Sequence, residues 1–313
     1  MKGDVVIRMS VLVGLNLMLI IKGGADEGAR DEGVQVASNE SSFLFSNLKK
    51  MGSPSDNFEL IAWKLTLPSA DEVQEKDLAG GYEGDFFFTD KNTGGMVFRV
   101  SPRAGTTAKT SYPRCELREM LRGGDTQSRT TGIGKNNWVI HTASSSAKKK
   151  AGGVDGLLEG TLRVDQVTCD GKDQHVGRVI IGQIHGKDDE PCRLYYRKLP
   201  GNSKGSLYFA SEKYRGDDDW YELIGSRSNS ASDPIDGVPL GEVFSYAIEL
   251  NGRDLTVKIM REGRSLVSRT VKIDSLYRED YLYFRAGAYL QDNSSSEDQF
   301  AQVTFFALKN SHD

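Results

Sequence analysis

The chain has 313 residues, 38% of them hydrophobic, with 34 glycines and only 8 prolines. That is enough apolar material for a full core, and the glycine excess suits many turns between short strands. A formal net charge of −4 excludes the overall basic field of a nucleic-acid binder and makes any cationic cleft a local feature.

Lys2 and Arg8 precede an apolar run over residues 9–21, and Gly23, Gly24 and Ala25 supply the small residues a signal peptidase accepts. The run is too short for a bilayer span, which needs about 20 residues. A short buried helix is the alternative, but the polar, glycine-rich residues 25–33 suit a mature N-terminus better. The expected organisation is a secretory signal over residues 1–25, a linker over 26–56 and one domain over 57–313. The mature protein is then secreted, or periplasmic in a bacterium, free of the membrane and monomeric.

Short helices are expected over residues 41–51 and 70–78. Strands are expected over 58–67 (ending at Pro68), 85–89, 96–100, 157–167, 243–250, 255–260 and 301–308. Asn251 and Gly252 form a pair that favours a tight hairpin turn, because both positions accept positive φ. There is no internal repeat, no heptad pattern and no alternation of strands with long helices. Two packed antiparallel sheets are the architecture this pattern predicts. Cys169 and Cys192 flank one strand; in a simple meander they lie too far apart to bond, so a bridge requires strands that leave for another sheet. Cys115 alternates toward the apolar side.

Three strand-like segments gather polar groups on one face. Alternation puts Arg114, Glu116 and Arg118 together, Gln183 with His185, and Tyr283 and Arg285 with Tyr289 and Gln291. Such a face, with most of its cations un-neutralised, suits a large anion. Other motifs fail. Gly201 to Gly205 spells G-x-S-x-G, but in a Pro-Gly-Asn turn rather than on a strand-to-helix elbow. No histidine has the i, i+4 partner of a zinc helix, and the acidic runs 188–190 and 217–219 lack calcium-loop spacing. A glycosidase needs two facing carboxylates, and these faces offer only Glu116.

β-Elimination on a polyuronate uses Arg, Gln, His and Tyr without a metal or a carboxylate pair. The proton beside a uronate carboxylate leaves only when that carboxylate is neutralised, a task for Arg114 and Gln183. His185 is then the base, while Tyr289 protonates the leaving oxygen or serves both roles when proton and leaving group share a side. Glu116 orients the flanking arginines. Tyr195 and Arg197, on a neighbouring strand, are further sugar-contact candidates, with exposed strand decoration equally open.

Residues 114–120 (Arg-Cys-Glu-Leu-Arg-Glu-Met), 183–185 (Gln-Ile-His) and 283–291 (Tyr-Phe-Arg-Ala-Gly-Ala-Tyr-Leu-Gln) resemble the three signature blocks of the polysaccharide lyase family 7 alginate lyases. Residues 57–68 and 195–200 resemble further parts of that family, in the same order along the chain. The resemblance implies a β-jelly roll whose concave sheet binds alginate. It implies Arg114, Gln183, His185 and Tyr289 as catalytic residues, with Glu116, Arg118, Tyr195, Arg197, Arg285 and Gln291 as substrate-binding candidates and no metal or other cofactor. Three positions depart from the family pattern. Cys115 replaces Ser or Thr, and Leu290 a polar residue, both facing away from the cleft. Arg285 replaces Lys, keeping the charge but changing the geometry of carboxylate binding. Ile184 is associated in this family with guluronate-containing substrate, and an open groove with chain-internal cleavage, although residues 122–135 or 187–191 could close one end. The alternatives are a non-catalytic module that binds acidic polysaccharide and a lyase for another polyuronate.

Overall fold

The computed structural model describes residues 47–107 and 110–313, together with the backbone of two strands before them. Those two, β1 (Val6–Ser10) and β2 (Asn16–Ile20), pair antiparallel as a unit of their own. In its described part the apolar run is therefore strand rather than helix, while the expected cleavage region at residues 23–25 lies outside the described residues.

The main unit is a sandwich of two antiparallel sheets. One sheet has seven strands, in the order β18 (Val267–Lys272), β17 (Asp254–Arg261), β16 (Val243–Asn251), β10 (Gly156–Gln166), β20 (Ala301–Ser311), β6 (Met96–Val100) and β5 (Phe87–Thr89). The other runs β14 (Asp218–Ile224), β13 (Lys204–Glu212), β12 (Cys192–Arg197), β11 (Arg178–His185), β19 (Tyr283–Leu290), β7 (Arg114–Glu119), β3 (Trp63–Thr66) and β4 (Glu72–Val73), with β15 (Val238–Pro239) beside β13. A short parallel pair, β8 (Trp138–Val139) and β9 (Gly153–Val154), and two short helices, α1 (Glu75–Ala79) and α2 (Ser145–Lys150), complete it. The chain crosses repeatedly between sheets, giving the jelly roll expected from the sequence.

Alternation explains most of the packing. Cys115 and Leu117 of β7, and Phe284, Ala286, Ala288 and Leu290 of β19, join the common core, so their neighbours in sequence face the other way. In β11 alternation breaks. Ile180 pairs with Tyr195 but Gly182 with Leu194, a bulge that leaves Ile181 unopposed on β12. Ile181 lies in the core, and a Cβ on Gly182 would stand 2.9 Å from the Tyr246 ring of the opposite sheet. Two successive residues thus face inward, and the bulge turns Gln183 and His185 onto the outer, polar face. Tyr246 also donates its hydroxyl to the Ile181 carbonyl, at 3.2 Å, pinning the bulge from the far sheet.

Some boundaries differ from expectation. Within residues 58–67 only Trp63–Thr66 is strand, because Asn57 bonds the backbone at Lys49 and Gly94 and holds the preceding segment in turns. The helix expected over residues 70–78 is replaced at its start by β4 and begins at Glu75. No helix forms over residues 47–51, and residues 41–46 lie outside the described residues. Asn251 pairs with Asp254, so the hairpin turn is residues 252–253, with Gly252 at φ +58° in the first central position. All three thiols are free. β10 and β11 do lie in different sheets, but Cys169 is exposed beside Gln299 whereas Cys192 is buried opposite Ile184.

On the core side of β7, fully buried Glu119 accepts from Trp138 Nε1 (3.0 Å), the Phe284 amide (3.1 Å), His312 Nε2 (2.8 Å) and Asn310 Nδ2. Burial pushes the pKa of His312 down, but bonding to Glu119 outweighs it and the pKa ends above its ordinary value. A histidine whose folded pKa is raised adds stability below its unfolded pKa, near 6.5, and loses it as pH rises through the folded value. His312→Gln should therefore cost about 1.5–3 kcal/mol at pH 5.5 and much less at pH 9, as read by urea denaturation at both. Gly182→Ala should cost about 1–3 kcal/mol by overpacking against Tyr246; an unchanged urea midpoint would mean that the ring yields freely.

Candidate active site

The polar face of the nine-stranded sheet is built by register. Across β3, β7, β19, β11, β12, β13 and β14 the paired positions are Lys64, Arg118, Arg285, Gln183, Arg193, Ala210 and Trp220. Four of these seven are cations, in a row perpendicular to the strands and about 29 Å long at ~4.8 Å per strand. A second row runs Arg114, Tyr289, Ile180, Tyr195 and Tyr208. His185 pairs with Tyr283 beyond the first row.

Glu116 lies at the centre, fully buried. Its Oε2 accepts from Arg114 Nη1 at 3.0 Å and from Arg285 Nη1 at 3.1 Å, and its Oε1 accepts from Gln183 Nε2. This corrects two expectations. With both oxygens engaged inside the protein, Glu116 is an internal tether rather than a sugar contact, and the second arginine it orients is Arg285, not Arg118. The cations are also better neutralised than expected. Lys64 pairs with Glu72 at 2.5 Å, and Arg193 lies among Glu190, Glu212 and Asp218. Arg118 instead donates to the Thr130 carbonyl (2.6 Å) and Asn137 Oδ1 (3.2 Å), tying residues 122–137 to this end of the face.

Several buried polar atoms here have no hydrogen-bond partner in the protein: Arg114 Nε, Gln183 Oε1, Arg285 Nε and Gln291 Nε2. Buried polar groups are ordinarily satisfied, so these four atoms set this part of the face apart from an ordinary packed surface.

The four predicted catalytic residues share the face but divide into two groups. Tyr289 lies under Arg114, whose guanidinium carbon is 3.7 Å from the ring centroid. His185 stacks on Tyr283 at 5.0 Å between centroids and 11° between planes. It lies five positions along β11 from Ile180, the partner of Tyr289. The His185 ring is held at both nitrogens, Nδ1 by the Gly186 carbonyl at 2.7 Å and Nε2 by Glu190 Oε1 at 2.9 Å. Burial pushes its pKa down, but Tyr283 and Glu190 outweigh that and leave it raised. Burial pushes the Tyr283 phenol up, yet His185, Arg285 and Arg118 bring it down to about 8.

Two weaker candidates are committed elsewhere. Arg197 donates to the carbonyls of Asp173, Val176 and Arg227 and to Asn229 Oδ1, so its guanidinium braces loops and is not free for sugar. Tyr195 is buried in a stack with Tyr208 (5.2 Å) and Trp220 (5.4 Å), leaving Trp220 as the half-exposed member of that patch. Sequence reasoning missed Lys64, Arg193, Trp220 and Glu190 as members of the site. The first two were open to detection by strand parity, since Lys64 alternates with Trp63 and Leu65, and Arg193 with Leu194. Glu190 sits in a turn, where no periodicity points to a partner.

Comparison with known proteins identifies the family. A family profile described as "Alginate lyase" matches residues 58–312. An alginate lyase of Klebsiella pneumoniae is 50% identical over 280 residues, covering 83% of this chain and 91% of that protein. The crystal structure of the alginate lyase from Klebsiella pneumoniae superposes with a TM-score of 0.81 at 48% identity, over 83% of this chain and 99% of the other. The family 7 alginate lyase A1-II′, solved in complex with product GGG, gives 0.62 at 25% identity, over 84% and 100%. With the profile spanning nearly the whole main unit and half the residues shared with a Klebsiella lyase, the chain belongs to the alginate lyases of polysaccharide lyase family 7.

Proposed function

We propose that this protein cleaves alginate inside the chain by β-elimination, favouring guluronate-containing stretches and leaving 4,5-unsaturated oligouronates. The observation that carries the reading is the Glu116 tether. It fixes Arg114, Arg285 and Gln183 on three adjacent strands, with Arg114 Nε, Arg285 Nε and Gln183 Oε1 unpartnered in the protein. In the reaction the uronate carboxylate lies against the arginines, which stabilise charge as the C5 proton departs. The C5–H electron pair becomes the C4–C5 double bond, the C4–O4 bond breaks, and O4 leaves with a proton from the protein.

Tyr289 is the phenol beside Arg114, which suits it to protonate O4 when the carboxylate is bound at that arginine. His185 approaches from farther along the face. In guluronate the C5 hydrogen and O4 lie on opposite sides of the ring, and in mannuronate they share a side. Two proton-transfer groups set apart along the strands suit the former. Both nitrogens of His185 face acceptors, the Gly186 carbonyl and Glu190, so the ring acts as base in its neutral form, with the unprotonated nitrogen turned from its acceptor to take the C5 proton. The row of cations perpendicular to the strands gives a polyanion a path across the sheet, which supports internal cleavage. Family membership and the A1-II′ complex with product GGG support the same substrate class. We further propose that residues 1–25 direct secretion and that the mature protein acts as a monomer; N-terminal sequencing of secreted protein and light scattering test these two points.

Absorbance of the conjugated product, followed with a chelator present, should rise faster on polyguluronate or native alginate than on polymannuronate. A faster rise on polymannuronate would overturn the block preference, and no rise on any of them would overturn the activity. His185→Ala and Tyr289→Phe should each lower kcat by about 10²–10⁴-fold with circular dichroism unchanged; near-normal turnover in both would sink the acid–base assignment. Glu116→Ala should cost about 3–5 kcal/mol of stability by leaving buried cations unpaired and should also abolish most turnover.

A further inference from the structure

We propose that Glu190 is a positioning residue for His185: held by the β11–β12 turn, it binds Nε2, keeps the ring flat on Tyr283 and sets the pH at which the imidazole changes charge. The proposal rests on the reading of His185 as part of the alginate-cleaving site. It requires nothing of Glu190 in contact with substrate.

The geometry is specific. Glu190 Oε1 is 2.9 Å from Nε2, while the carbonyl of Gly186, in the same turn, takes Nδ1 at 2.7 Å. One short turn therefore grips both ring nitrogens. The turn is itself fixed. The Gly186 amide donates to the Asp189 carbonyl at 2.8 Å, and the Lys187 amide to Asp280 Oδ2 at 3.1 Å. The Glu190 amide donates to Glu212 Oε2 at 3.0 Å, and the Glu212 amide returns a bond to the Glu190 carbonyl at 3.1 Å. Behind the carboxylate, Arg193 Nε lies 3.9 Å from Glu190 Oε2 and leaves Oε1 to the histidine.

The charges around His185 come from every neighbouring element. β19 contributes Tyr283 and Arg285, with Arg118 of β7 over the Tyr283 ring at 4.0 Å. The turn contributes Glu190, with Asp280 bonded behind it. Arg193 of β12 and Glu212 of β13 act through Glu190. Among these, Glu190 is the carboxylate in contact with the ring. Burial works to raise the Glu190 pKa, yet the bond to His185 leads the interactions that hold it well below the ordinary carboxylate range. Glu212, buried beside that charge, is pushed up to about 7 and shares the site largely as a neutral acid below that pH.

With only four histidines, at positions 141, 175, 185 and 312, the ring of His185 can be followed by ¹H–¹⁵N NMR in the full-length protein. In the native protein it should titrate above the ordinary 6.5; a value below that overturns the proposal without any variant. In Glu190→Gln, loss of the anion should lower the His185 pKa by about one unit or more and move the corresponding limb of the kcat/KM–pH profile to lower pH, with Glu190→Asp restoring part of both. A purely structural role would change stability and leave the titration alone, and an unmoved His185 pKa in folded Glu190→Gln overturns the proposal. If the pKa falls while His185→Ala remains active, Glu190 positions the ring as proposed and it is the catalytic reading of His185 that fails.

Discussion

The functional face depends on one buried anion. Glu116 sits among arginines in a site built to receive a polyanion, and its charge works against the attraction such a site needs. Its value is geometric. A guanidinium on a flexible stem neutralises a uronate carboxylate effectively only if it is already oriented when the charge develops. Glu116 fixes one edge of Arg114, one edge of Arg285 and the amide nitrogen of Gln183. Arg114 Nε, Arg285 Nε and Gln183 Oε1 have no partner in the protein. The Lys-to-Arg departure at position 285 fits this arrangement, because a planar fork can serve Glu116 with one nitrogen and hold another ready.

The same sheet carries two kinds of chemistry side by side. The row through Lys64, Arg118, Arg285, Gln183 and Arg193 is cationic, and the row through Tyr289, Tyr195 and Tyr208 is aromatic. The rows stand four residues apart on β7 and β19, three on β11 and two on β12 and β13, so one edge of the face is charged and the other aromatic. The Tyr283–His185 stack adds a third environment, in which a buried phenol and an imidazole shift one another in opposite directions, the phenol down and the imidazole up.

Parity read from the sequence placed Arg114, Glu116 and Arg118 on one face and Cys115 and Leu117 on the other, because β7 is regular and every step alternates. It also grouped Tyr283, Arg285 and Tyr289 correctly, since β19 keeps their parity through its irregular stretch. What parity does not carry is pairing between strands. That Arg285 rather than Arg118 would reach Glu116, or that Lys64 would stand in the cationic row, depends on register between segments far apart in sequence. Turn residues were the least legible. Glu190 reads as one of three consecutive acids, and only the path of the turn brings it to His185. The hairpin at Asn251 was seen but placed one residue early, because Gly252 alone supplies the positive φ that the turn requires.

The bulge in β11 joins these levels. Strict alternation from Val179 would bury Gln183 and His185 in the core, where an amide and an imidazole would need new partners. One unopposed residue reverses the parity, at the cost of a disrupted ladder and a packing position that admits only glycine. The disruption is offset from the opposite sheet, where Tyr246 fills the space beside Gly182 and donates to the Ile181 carbonyl. The two sheets are therefore not independent layers, one structural and one functional. Packing between them decides which residues of β11 stand on the polar face, and Tyr246 acts on that choice through the register of a single strand.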